Sequence, residues 1–453
     1  MGIDNTSPSY EGKVKVYRKR WVILFIFCIN SMANALLFTC ITSINSIICR
    51  YYNASPQLTD WAANSFSSVY ILIALPSAYC MSSFGIKTLL LIGSSLNAIC
   101  VCFHLAGTSK DAGIWMILAG QFVGGFSVGA VLQIPTRLSS VWFPEHEHAR
   151  ATSIAMAFNV LGLGIGYIQP SYMVPDSQNM DDIYTGLLHM NISHTVLLAI
   201  CLTSCYLFFE EKPALPPSFS QAVTDGATKS DDEDQSVLTF KESLVVLLKD
   251  KNFLVLVIVY GLQFGLYNFF IICLNEMSSH FASSSTIGWV GFFGNMASIV
   301  GILFFAGILD KYKCFRLLSI FLFVFSLLAW VAFCVTLLHW KTTTALFITF
   351  MLLCFFGVPF MALGLEYAAE ITYPIDEGLS SALVLISGNV VGLASVLLLG
   401  KLIDDGRIFL VSCIVTGLYV VALILCCFIK PTLKRSSMDS HYEDVPVNSP
   451  LET

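Results

Sequence analysis

The chain has 453 residues, of which 56% are hydrophobic and only 12% charged, with a net charge of −6 and a mean hydropathy of +0.75. Soluble domains carry about twice that fraction of charge, so a water-soluble fold is excluded, and neither a nucleic-acid partner nor a cofactor is expected. Apart from the adjacent Cys426 and Cys427, the fifteen cysteines are scattered singly, with no CxxC pair or Cys/His spacing of the kind that holds zinc.

In chain order, a polar, basic tail (1–20) comes first and lacks the pattern of a secretory signal. Twelve apolar segments follow, each near the ~20 residues that a hydrocarbon core requires. They run at 21–48, 60–84, 88–107, 113–142, 147–173, 187–209, 253–276, 286–309, 315–338, 343–368, 379–400 and 408–429. The expected organisation is a six-helix bundle (21–209), a soluble linker (210–252) with a Pro-rich run and an acidic cluster at Asp231, Asp232, Glu233 and Asp234, a second six-helix bundle (253–429) and a short tail (430–453). With the N-terminus inside, 19 of the 24 Lys and Arg residues fall on the inner side and 5 outside. That bias predicts cytosolic termini. It places the sequon Asn53-Ala54-Ser55 in the first outer loop, where a glycan could sit.

A shift of 230 residues brings Pro144, Glu147, Asn159, Val160, Gly162 and Leu163 onto Pro374, Glu377, Asn389, Val390, Gly392 and Leu393, and Asn45 onto Asn275. Two pseudo-symmetric halves with a site between them at mid-depth are the expectation. The fold class is therefore an all-α membrane protein of twelve transmembrane helices with the major facilitator fold.

Polar side chains within such helices turn toward the bundle or a cavity. Asn30, Asn34, Phe38, Thr42 and Asn45 form one stripe on the first helix. Asn34 and Phe38 are read as facing the central cavity, and Asn30 and Asn45 as interhelical hydrogen-bond partners. The seventh helix offers Gln263, Tyr267 and Asn268, the fifth Asn159, Gly162, Gly166 and Gln169, the eleventh Asn389, and the fourth Gln121 and Gln133. The glycines are read as points of close helix contact.

No Asp, Glu, Lys or Arg lies near the middle of any segment. Glu366 and Glu370 fall toward the inner end of the tenth helix, Glu276 toward the outer end of the seventh, and Arg137 near the inner end of the fourth. Glu366 and Glu370 are read as gate residues that pair with a cation such as Arg137, and Asp310 as part of the same inner gate. A neutral, aromatic and amide lining suits a quaternary ammonium held by cation–π attraction, or equally a flat apolar ligand. No histidine stands at mid-depth to meet a heme iron.

Certain runs carry a resemblance. Arg18-Lys19-Arg20-Trp21-Val22, Asp60-Trp61, Pro135-Thr136-Arg137-Leu138-Ser139-Ser140-Val141-Trp142-Phe143, Leu274-Asn275-Glu276-Met277 and Glu366-Tyr367-Ala368-Ala369-Glu370-Ile371-Thr372-Tyr373-Pro374 resemble the feline leukaemia virus subgroup C receptor-related family (heme/choline transporters) of the major facilitator superfamily. The resemblance spans about residues 18 to 430. It implies facilitated transport of choline or ethanolamine, with heme transport as the alternative, at the plasma membrane, by a monomer. It also implies a substrate cage at Asn34, Phe38, Asn159, Val160, Tyr267, Asn268 and Asn389. Here Phe38 replaces a family Trp, Tyr267-Asn268 a Phe-Tyr pair, Val160 a Gln and Asn389 a Gln. Ser82 stands where the superfamily's loop between helices two and three carries Asp. A non-transporting receptor or nutrient sensor on the same fold is the reading from another class.

Overall fold

The computed structural model describes residues 14–110, 113–218, 221, 239–278, 280–282, 284–430 and 433–437. The acidic cluster at 231–234 and the side chains of Thr42, Asn45 and Glu276 lie outside the described residues.

Among the described residues, eleven helical stretches are long and apolar enough to cross a membrane, yet they make twelve crossings, because Pro56–Gly107 contains two. Gly85 separates them, with φ 87° and ψ 176°, a conformation open to a residue without Cβ. The Ile86 and Lys87 N–H groups donate to the Glu211 carboxylate at 2.8 and 2.7 Å. A Cβ on Gly85 would fall 2.4 Å from that same carboxylate, so the capped turn requires glycine twice over.

The other crossings are Arg20–Thr39, the broken fourth (Gly113–Gly125, Val128–Leu132, Ile134–Trp142), His148–Met173, Met180–Phe208, Lys251–Ser278, Ser284–Tyr312, Phe315–Val335, the broken tenth (Thr343–Gly357, Pro359–Thr372), Glu377–Asp404 and Ile408–Phe428. The first stops at Thr39, short of the expected residue 48. A 3-10 turn (Thr42–Ile44) and a short helix (Asn45–Tyr52) follow. The run Thr39-Cys40-Ile41-Thr42-Ser43-Ile44 mixes β-branched residues with hydroxyls, and the Ser43 hydroxyl bonds back to the Cys40 carbonyl at 3.1 Å. Such local bonds compete with helix continuation.

The 230-residue repeat is visible in the packing. A Cβ on Gly162 would sit 2.2 Å from the Met32 carbonyl, so glycine is what lets the fifth crossing lie against the first. Its counterpart Gly392 lies against Gly265 and Asn268, joining the eleventh crossing to the seventh. The breaks repeat as well, since the offset carries Ser127 onto Gly357. Between the halves, one apolar cluster joins Tyr70, Ala74, Met156 and Val160 to Tyr260, Phe264 and Tyr267.

Candidate functional site

At the end of the bundle where Arg20 and Phe428 lie, charged and hydroxyl side chains bind the halves to each other. Arg137 Nη1 reaches Glu377 Oε2 at 2.9 Å and Asp376 Oδ2 at 3.8 Å. Beside it the hydroxyls of Thr136 and Ser381 share a hydrogen bond of 2.8 Å. Ser139 and Thr152 both donate to Glu366 Oε1, the former at 3.1 Å. Lys313 pairs with Glu145 at 3.3 Å. These contacts shut the bundle at this end.

Two aspartates cap helices here by different routes. Asp310 accepts the Ala149 and Arg150 N–H groups at 3.1 and 2.9 Å, so the N-terminus of the fifth crossing is capped from the opposite half. Its pseudo-symmetric mate, the eleventh, is capped by its own neighbour: Asp376 accepts from Gly378 and Leu379 at 2.9 and 3.3 Å. Either arrangement satisfies backbone donors and places a negative charge at a positive dipole end. Burial pushes the Asp376 carboxyl up from its ordinary range, against the pull of Arg137.

The expected gate residues are thus at one end, but with different partners. Arg137 meets Glu377 and not Glu366 or Glu370. Those two glutamates instead receive Arg435 of the tail, at 2.7 Å and 3.4 Å. Sequence reasoning missed Glu377, although the repeat aligned it with Glu147. It also missed Arg435, which lies past the last apolar segment, where no periodicity marks a residue.

The expected substrate residues are spread over several environments. Asn34 is buried and gives both its N–H groups to other side chains, Asn97 Oδ1 at 3.0 Å and Ser127 Oγ at 2.6 Å. In this arrangement it braces the fourth crossing where that helix breaks. Gln263 does the same in the other half, donating to the Gly357 carbonyl at 2.8 Å. Backbone freed by a break inside a membrane needs such partners. Phe38 is half-buried and meets Phe66 edge-on with ring centroids 5.6 Å apart. Asn159 donates to the Ser31 hydroxyl at 3.1 Å, and Asn389 turns back to the Leu385 carbonyl of its own helix at 2.9 Å. Tyr267 donates to Asn295 Oδ1 at 3.0 Å, and Asn268 lies against Gly392. Val160 and Tyr267 share the apolar cluster that joins the halves.

The family model described as Major Facilitator Superfamily matches residues 23–370. A human choline/ethanolamine transporter, FLVCR2, is 30% identical over 441 residues, covering 95% of this chain and 81% of that protein. The chain belongs to the feline leukaemia virus subgroup C receptor-related family of the major facilitator superfamily. An uncharacterized MFS-type transporter of Caenorhabditis elegans is 32% identical over 436 residues, covering 96% of this chain and 73% of that one. Among solved structures, the proton:xylose symporter XylE superposes with a TM-score of 0.72 at 14% identity, covering 93% of this chain and all of that one. The transporter FucP in its outward conformation gives 0.68 at 15% identity, covering 91% of this chain and all of that one. At those identities the likeness concerns the fold. This family member is a multi-pass membrane transporter in which two six-helix halves meet around a shared axis.

Proposed function

We propose that this chain is a facilitative carrier of choline, ethanolamine or a closely related amine, working by alternating access. The observation that carries the substrate class is the near full-length match to a choline/ethanolamine transporter. The neutral mid-depth lining supports it, because aromatic faces and amides hold an ammonium group without a counter-charge. Phe38, Asn159, Val160, Tyr267, Asn268 and Asn389 are the residues proposed to meet the solute, and Arg137, Asp310, Glu366 and Glu370 those that gate its inner exit. The carrier is proposed to act as a monomer in the plasma membrane, with both termini and the linker 210–252 in the cytosol and Asn53 open to glycosylation outside. In that orientation the clamped end is the cytosolic one.

The test is uptake of radiolabelled choline, ethanolamine and heme by cells expressing the chain, against cells expressing the Arg137→Gln variant at equal surface level. Saturable choline or ethanolamine uptake above background is expected. Heme transport with neither amine moving would overturn the reading in favour of the second substrate class.

A further inference from the structure

The tail Leu433–Ser437 runs across the closed inner gate. Lys430 first exchanges backbone hydrogen bonds with the Asn252 side chain, at 2.8 and 3.1 Å, at the start of the seventh crossing. Leu433 then packs against the apolar core of the second half, where with Lys313, Phe315, Arg316, Leu317 and Ile320 it lines one wall of a groove. Arg435 follows, 3% exposed. Its Nη2 lies 2.7 Å from Glu366 Oε2, its Nε lies 3.4 Å from Glu370 Oε2, and the Ser436 N–H donates to Glu370 Oε1 at 2.7 Å. Burial alone would drive the guanidinium toward neutrality, but the two glutamates more than offset it and hold the charge more firmly than usual.

Glu366 is therefore a three-way junction. Its Oε1 takes the hydroxyls of Ser139 and Thr152 from the first half. Its Oε2 takes Arg435 from the tail. Two buried carboxylates one helical turn apart repel each other unless a cation sits between them, and the tail supplies that cation. When the halves part at this end, Glu366 loses Ser139 and Thr152, and both carboxylates gain water. The reason for the tail to stay then weakens.

We propose that Glu366 and Glu370 form a guanidinium-binding site that the chain's own tail occupies while the inner gate is closed, making Leu433–Ser437 an autoinhibitory latch on the carrier. The proposal rests on alternating access, not on which solute moves, so its test needs no substrate.

Hydrogen exchange read by mass spectrometry on the purified full-length chain provides that test. Arg435→Gln, or truncation after Lys430, is expected to speed exchange at the inner ends of Ile134–Trp142 and Pro359–Thr372 by roughly a hundredfold, the consequence of stranding buried carboxylates. Arg435→Lys should lie between, because the guanidinium makes one hydrogen bond here and not a two-pronged fork. Ser436→Asp, which sets a third carboxylate beside Glu370, should act like Arg435→Gln. The peptide Leu-Lys-Arg-Ser-Ser added to the truncated chain should restore protection, and the same peptide with Gln for Arg should not. Unchanged exchange after truncation overturns the latch. So does a rise spread over the outer ends of the crossings, which marks a general folding role. If Arg435→Gln does not fold, the truncated chain and the peptide decide the matter alone.

Discussion

Arg137, from the first half, and Glu377, from the second, form an ion pair of 2.9 Å across the pseudo-symmetry axis. The Glu377 side chain is 9% exposed and that of Arg137 22%, so the pair is partly shielded from solvent screening. Removing either partner leaves a poorly hydrated charge at the gate. Arg137→Gln or Glu377→Gln is expected to lower the maximal uptake rate about tenfold, about 1.4 kcal/mol, less than breaking a fully buried pair because the pair keeps some contact with water. The charge swap, Arg137→Glu together with Glu377→Arg, should recover only part of it, because Asp376 then faces a second carboxylate from the first half. Maximal uptake rate, compared at equal surface expression, is the readout.

Glu366→Gln keeps an acceptor for Ser139 and Thr152 but removes the charge that faces Arg435. With the latch weakened, the expected outcome is faster turnover with apparent substrate affinity unchanged. Scintillation-proximity binding of labelled choline checks this. Lost binding with normal trafficking would assign Glu366 to the substrate site.

Asn34→Ala and Gln263→Ala remove the braces at the two helix breaks. Each should destabilise the detergent-solubilised protein by about 1–3 kcal/mol, the cost of leaving buried polar groups unpaired. The apparent KM should not move. A fall in melting temperature seen by intrinsic fluorescence, with selectivity intact, is the expected pair of results.

Phe38 and Tyr267 carry the substrate prediction. A cation over an aromatic face gains about 0.5–2 kcal/mol, so Phe38→Leu should weaken choline binding by roughly three- to thirty-fold. Phe38→Trp should tighten it, and Val160→Gln should add an amide to the apolar cluster between the halves and move the profile toward the family's usual amines. If Phe38 only fills space against Phe66, Leu is tolerated and Trp harms expression. A heme carrier would be indifferent to Leu. Binding of choline and heme to the wild type and both Phe38 variants separates these outcomes.

Because no Asp, Glu, Lys or Arg stands near the middle of any apolar segment, initial uptake rates should survive a protonophore between pH 5.5 and 7.5. Membrane potential should still act on a cationic solute, by about 2.3 kcal/mol per charge per 100 mV. The pH dependence that remains should come from Asp376, whose carboxyl is raised in the closed gate. A raised carboxyl binds its proton more tightly in that state, so closure is favoured as pH falls and this contribution is lost as pH rises through the raised value. Asp376→Asn, which can still cap the eleventh crossing, should flatten the dependence without removing transport.

The fold was legible because lipid leaves so few choices. Runs of about twenty apolar residues are helices, and the repeat of Pro, Glu, Asn and Gly at one offset marked two halves. The first helix was read nine residues too long, since hydropathy does not register the hydroxyl and β-branched cluster that stops it at Thr39. The site was less legible. Helical spacing shows that Asn30 and Asn34 share a face but not which neighbour that face meets, and here the neighbours are Ser94 and Ser127. That braces are needed follows only once the fourth crossing is seen to break. Glu366 and Glu370 announced themselves as charges in an apolar chain. Arg435 did not, because among tail residues another arginine carries no signal.

On the proposed alternating access, the clamped end has an electrical consequence for what leaves through it. Glu366, Glu370, Asp376 and Glu377 crowd a small volume at the mouth and are neutralised in the closed state mainly by Arg137 and Arg435. Opening moves Arg137 away with its own half and frees the tail that bears Arg435. The mouth that opens is then a negatively charged vestibule, whose field raises the local concentration of cations and repels anions. For an ammonium solute, this makes the step from the bundle into that vestibule downhill in potential.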